Sequence, residues 1–203
     1  MDKEDIQTKS DDIFLEDVKK LITEGDFSSA ISKLLLELTS NSNNIELLYL
    51  LSVSYRYNKN YSKAIESLNS LFALNPEHSR ALQEMGHTYR AMGDYNRALE
   101  AYHRATRLNS ALTASLNAQI KILGQVGQAQ QIKPLKAQLD YIQSLPKPLI
   151  AVIDLLAQGK LVKAEQICKL FLQKNPRNVE GMRLLSQIAL KLGVLAVSYT
   201  HLR

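Results

Sequence analysis

LQEMGHTYRAMGDYNRALEAYHRATRLNS, residues 82–110, is one instance of a pattern that recurs along most of the chain. Gly93 divides it into two stretches with helical spacing: Leu82, Met85, Gly86 and Tyr89 before it, Tyr95, Ala98, Tyr102 and Ala105 after it. Outward from there, Gly25, Gly93, Gly127, Gly159 and Gly193 share one register, at spacings of 68, 34, 32 and 34. Lys59 fills the missing place halfway between Gly25 and Gly93, so the unit is about 34 residues long. Five residues beyond these places stand Ala30, Ala64, Ala98 and Ala164, with Ile132 as the exception. Two residues beyond them come Phe27, Tyr61, Tyr95, Ala129 and Leu161. Units close on Asn41, Asn75-Pro76, Asn109 and Asn175-Pro176, where proline ends one helix before the next begins. The pattern predicts a helix, turn, helix, turn unit, with all five glycines at the turn inside each helix pair.

Composition narrows the class. The 203 residues are 45% hydrophobic and 22% charged, which excludes disordered and collagen-like chains. The longest apolar run, Leu149 to Ala157, contains Asp154 and is far short of the roughly 20 residues that cross a bilayer. The opening MDKEDIQTKSDD is acidic where a secretory signal is basic and then apolar, so the expected compartment is the cytoplasm. One cysteine, Cys168, makes no internal disulfide and no thiolate cluster. With 8 Gly, 5 Pro and no Trp, long helices joined by short turns are expected. Charge is graded along the chain: 10 acids and 5 bases in residues 1–44, 6 and 8 in 45–112, 4 and 12 in 113–203. The bases are scattered without interleaved aromatics, so no nucleic-acid partner is expected.

Residues 82–110 closely resemble the tetratricopeptide repeat, through Leu82, Met85-Gly86, Tyr89, Gly93, Tyr95, Ala98, Tyr102 and Ala105. Residues 45–78 match through Leu48, Leu51, Tyr55, Tyr61, Ala64, Leu68 and Asn75-Pro76. Residues 145–178 match through Gly159, Leu161, Ala164 and Asn175-Pro176. Units 11–44 and 113–144 are degenerate, the latter slightly short and carrying Pro134 near the start of its second helix. The resemblance implies an all-α, right-handed superhelical solenoid of about five and a half helix-turn-helix repeats. Its concave face would be lined by first helices. A small alanine in each second helix lets the pair approach closely, and neighbouring units stack because no pair buries its apolar face alone.

Residues 1–10 are expected to be a disordered tail and 11–193 the repeat array. A sixth unit starts at VEGMRLLSQIALKLG, residues 179–193, and breaks off at VLAVSYTHLR. Residues 194–203 read as a cloning or sequencing scar and the chain as the N-terminal fragment of a longer protein. Met182, Leu185, Ala189 and Leu192 are expected to form an uncovered apolar stripe through which the chain self-associates. The C-terminal third resembles the repeat region of bacterial tetratricopeptide-repeat sulfotransferases, whose catalytic domain would then be missing here.

No enzyme constellation is found. Gly159-Lys160 is followed by Leu161 and makes no phosphate loop, and the four histidines are isolated, so neither a metal nor a cofactor site is read. The tetrad Ser144 to Lys147 abuts Pro146 and Pro148 and lacks partners for a serine–lysine nucleophile. Cys168 falls on the buried face of its helix, where packing is its role.

What remains is a peptide-binding groove on the first helices, lined by Tyr49, Val53, Arg56, Tyr57, Arg80, Gln83, His87, Arg90, Asn117 and Lys121. It turns apolar farther along, at Leu149, Ile153 and Leu156. Some members of the family hold a C-terminal carboxylate with paired Lys and Asn, but Tyr49 and Val53 stand in those places. Arg56, Arg80 and Arg90 either grip an acidic peptide or pair with Glu46 and Glu84. The function read from the sequence is a protein- or peptide-binding scaffold, with a sulfotransferase arm or a free-standing bacterial adaptor as alternatives. Because Ala98 is placed at a helix crossing, Ala98→Leu should destabilise the fold by roughly 1–3 kcal/mol. Arg97→Ala, on the outer face, should change chemical denaturation little, and equal effects would mean the helix faces are misassigned.

Overall fold

The computed structural model describes residues 3–200, and side chains within residues 13–193. Among the described residues there are eleven α-helices and no strand. They are α1 (Lys3–Glu24), α2 (Phe27–Ser40), α3 (Ile45–Tyr57), α4 (Tyr61–Leu74), α5 (Ser79–Ala91), α6 (Tyr95–Leu108), α7 (Thr113–Gln125), α8 (Ala129–Ser144), α9 (Lys147–Ala157), α10 (Leu161–Lys174) and α11 (Val179–Thr200). None is long and apolar enough to cross a membrane. The chain forms two compact units, Met1–Ala98 and Leu99–Arg203.

In the first unit, the alanines that the register singles out lie at the centre of the packing. Ala30, Ala64 and Ala98 are wholly buried. Around the first two gather Val18, Leu34, Leu47, Leu50, Leu51 and Tyr55. Arg97, beside Ala98, is exposed, with its guanidinium on Asp94 and 4.8 Å above the Tyr89 ring. The second helices also start alike. Asp26, Asn60 and Asp94, at the same place in three successive repeats, each accept a hydrogen bond from the backbone N–H three residues on, at 3.1, 3.3 and 3.0 Å. In the second unit the equivalent caps, Gln128 and Lys160, make no such bond, so α8 and α10 start without one.

The second core gathers Leu149, Val152, Leu156, Leu161, Ala164, Cys168, Leu184 and Ile188. Cys168 is buried there, donates its thiol to the Gly181 carbonyl at 3.3 Å, and burial pushes its pKa up. This is a packing role. Gly181 permits a close crossing of α10 and α11, because a Cβ there would meet Leu172 Cδ2 at 2.9 Å.

Two expectations are corrected at the C-terminal end of the chain, the Gly193 turn and the apolar stripe. At the N-terminal end, α1 begins at Lys3, within the segment 1–10 expected to be a tail, and residues 1–2 lie outside the described ones. Gly193 is not at a turn: α11 continues to Thr200, and the assigned tail 194–203 is helical up to that residue, with 201–203 outside the described residues. The apolar stripe is rotated. Gly181, Leu184 and Ile188 face inward, Leu185 and Leu192 are half-buried, and Met182 and Ala189 are exposed. The close approach of Gly181 to Leu172 sets that rotation.

The other turns follow the register. Gly25, Gly93, Gly127 and Gly159 adopt φ of +83°, +80°, +75° and +71°, the left-handed region that glycine enters at no steric cost. Lys59 occupies the same place with φ of +60° and carries a Cβ there. Left-handed backbone costs an L-residue roughly 1–2 kcal/mol. Lys59→Gly should therefore raise stability by about 0.5–1 kcal/mol in urea unfolding. Gly93→Lys should lower it by a similar amount, and a destabilising Lys59→Gly would contradict this account of the turn.

Candidate functional site

Two first helices of the first unit, α3 and α5, carry eight of the ten groove residues. Tyr49, Val53, Arg56 and Tyr57 lie on α3, and Arg80, Gln83, His87 and Arg90 on α5. Arg80, Arg90 and Tyr57 are exposed, while Tyr49, Val53, Arg56, Gln83 and His87 are half-buried. Asn117 and Lys121 are exposed on α7, in the second unit.

An ion pair joins the two helices. Arg56 donates through Nε to Glu84 Oε1 and through Nη2 to Oε2 at 3.4 Å, and Glu84 is only 4% exposed. The Arg56 guanidinium lies 4.0 Å over the Tyr57 ring, which stacks on Phe27 at 5.2 Å and 10°. Phe27, Tyr57, Arg56 and Glu84 thus connect α2, α3 and α5 in sequence. At the other end of α3, Tyr49 meets the His78 ring at 5.9 Å. His78 caps α5, its Nδ1 accepting from the Ala81 N–H at 3.0 Å. Of the two roles open to Arg56, pairing with Glu84 is the one the geometry has. Glu46 pairs instead with Lys19, at 3.1 Å.

Burial reshapes the charges of this face. His87 is held down to about 4 by desolvation first, then by Arg56 and Arg90, so it is a neutral imidazole at pH 7. Burial, and next the Glu84 charge, push Tyr49 up to about 12. Burial also lifts the Glu84 carboxyl above its usual range, against the opposing pull of Arg56. The face is a hydrogen-bonding and aromatic surface, with its exposed positive charge at Arg80 and Arg90.

In the second unit, the apolar continuation of the groove is corrected in part. Leu149 is wholly buried in the core, because positions 149, 152 and 156 form the inward stripe of α9. Ile153 and Leu156 instead line a cavity of about 310 Å³ that also meets the end of α6, α8 and α11. Asn109 crosses to α9, donating through Nδ2 to Asp154 Oδ1 at 2.7 Å, and Gln158 donates to Asp154 Oδ2 at 2.9 Å. Arg107, Tyr141, Arg183 and Lys191 also line it. Sequence reading did not single out these four residues. Arg107 and Tyr141 lie on second helices, which periodicity assigns to the outside. Among the described residues, no group of acids, histidines or cysteines is placed to hold a metal ion.

The geometry sits beside an independent finding. The sequence model of the family described as "Tetratricopeptide repeat" matches residues 55–120. This is a tetratricopeptide-repeat fold. Solved structures agree on the fold: Pseudomonas aeruginosa pilF superposes with a TM-score of 0.60 at 17% identity, over 95% of this chain and 89% of that one. A MamA crystal structure gives 0.56 at 22% identity, over 81% and 91%. A thermophilic TPR protein of Thermus thermophilus gives 0.55 at 17%, over 88% and 98%. No curated protein sequence matches the chain. None of these findings supports the sulfotransferase resemblance of the C-terminal third.

His87 yields a pH prediction for the repeat fold. The unfolded chain takes up a proton near 6.5 and the folded one near 4, so stability falls as pH drops between those values, by about 1–3 kcal/mol at most. Glu84, raised in the folded state, acts in the opposite sense. Urea unfolding at pH 7 and pH 4.5 should therefore show a larger loss for the wild type than for His87→Gln. Equal losses would place a charged imidazole in the fold.

Proposed function

We propose that the chain is a protein- or peptide-binding scaffold module rather than a catalyst, and that the α3–α5 face of the first unit takes the partner segment. The observation that carries this is a face whose helices are locked together by a buried ion pair while Tyr57, Arg80 and Arg90 are exposed on it and neutral His87 is half-buried. A fixed surface loses little ordering entropy when it binds an extended segment, and aromatic and Arg side chains anchor such contacts. An acidic segment suits Arg80 and Arg90 better than Arg56, because those two are exposed while Arg56 is half-buried against Glu84.

The test places a photo-cross-linking amino acid at Arg80 or Arg90 and, as reference, at Asn69 on the exposed side of α4. Cross-linked partners are expected from the α5 positions and not from α4. With an acidic partner, Arg80→Glu combined with Arg90→Glu should weaken capture, as should added salt. Arg56→Glu is unsuitable, because it would leave two carboxylates facing each other in a buried place. Equal capture from α4 and α5 would contradict the reading.

A further inference from the structure

We propose that the cavity of the second unit binds a peptide segment that sets a glutamate or aspartate beside an aliphatic residue. This goes beyond the α3–α5 face and rests on the reading of the chain as a peptide-binding module. The cavity is lined by exposed cationic residues and by more buried apolar ones. Arg107 comes from the last turn of α6, and Arg183 and Lys191 lie two turns apart on α11; Ile153 and Leu156 of α9 supply apolar lining.

Two acids are bonded to lining residues, and both are engaged. Glu180 accepts from Arg183 through Oε2 at 2.9 Å and through Oε1. Asp154 accepts an amide N–H on each oxygen, from Asn109 and from Gln158. Arg107 and Lys191 have no acid partner among the described residues. Both line the cavity, and an incoming carboxylate gains charge-assisted hydrogen bonds from them. An aliphatic neighbour gains by leaving water against Ile153 and Leu156. A nucleic-acid strand is disfavoured, since binding one calls for stacking platforms along a basic track and the wall here is aliphatic. The local charge matches the sequence-level gradient: residues 113–203 carry 12 bases and 4 acids.

A phage-displayed pool of random heptapeptides tests this on the full chain, with wild type and Arg107→Glu/Lys191→Glu compared side by side. Both residues are exposed, and circular dichroism melts confirm that the variant folds. Arg107→Gln/Lys191→Gln serves as a second variant without introduced acid. The wild type should enrich Asp or Glu next to Leu, Ile, Val or Met. Both variants should lose that enrichment by about tenfold, and added salt should diminish it for the wild type. Acid–aliphatic enrichment unchanged in both variants would overturn the site while leaving peptide binding elsewhere intact. Enrichment of aliphatic residues regardless of neighbouring acids, or of basic residues, would overturn the assigned chemistry. Retention of no peptide by the wild type would overturn this proposal, and the α3–α5 cross-links then decide the broader reading separately.

Discussion

Close approach of the two helices in each pair is the constraint from which the rest follows. Ala30, Ala64, Ala98 and Ala164 are wholly buried, and at each of these places a larger side chain would push the helices apart. The short turn before each alanine brings the second helix back against the first, which is why left-handed backbone recurs at Gly25, Lys59, Gly93, Gly127 and Gly159. A pair so closed still leaves apolar surface on its flanks, and that surface is covered by the next pair. The same rule that builds the core also decides which helices remain available to a partner.

Charge in the first unit is spent largely on its own architecture. Arg56 is held by Glu84 and Tyr57, Lys19 by Glu46, Arg97 by Asp94 and Tyr89, and His87 stays neutral. Breaking one partner of the Arg56–Glu84 pair would strand a buried charge, so the pair fixes the register of α3 against α5 more than it offers a ligand. In the second unit, pairs among the described residues include Glu165–Lys169 and Glu180–Arg183. Arg56 thus holds the α3–α5 face rigid while Arg80 and Arg90 stay exposed on it, and in the second unit Arg107 and Lys191 line a cavity.

The repeat register made the helices, the turns and the buried alanines legible, because each is a local consequence of residue type at fixed spacing. Lys59 was legible as a turn only because its counterparts at 25 and 93 are glycine. Gly193 broke the pattern: a glycine is permitted in a left-handed turn but does not compel one, and α11 runs through it. Arg56 and Glu84, on first helices of adjacent repeats, were visible as potential partners, yet nothing in the sequence distinguished Glu84 from Glu46. The cavity was illegible. It depends on Asn109 of one repeat reaching Asp154 of a later one, and on the rotation of α11 imposed by Gly181 against Leu172, and neither is a periodic feature. Leu149 was misplaced for a related reason, since a helix flanked on two sides buries part of the stripe that periodicity offers to a groove.

Backbone chemical shifts measured residue by residue test the central claim, that one repeating rule sets the helices and turns and thereby the faces left for binding. The account predicts helical Cα and carbonyl shifts through each of the eleven helices. It predicts left-handed values at Gly25, Lys59, Gly93, Gly127 and Gly159, and uninterrupted helical values through Gly193. Extended shifts within any of these helices, ordinary right-handed values at Lys59, or a break at Gly193 would contradict it.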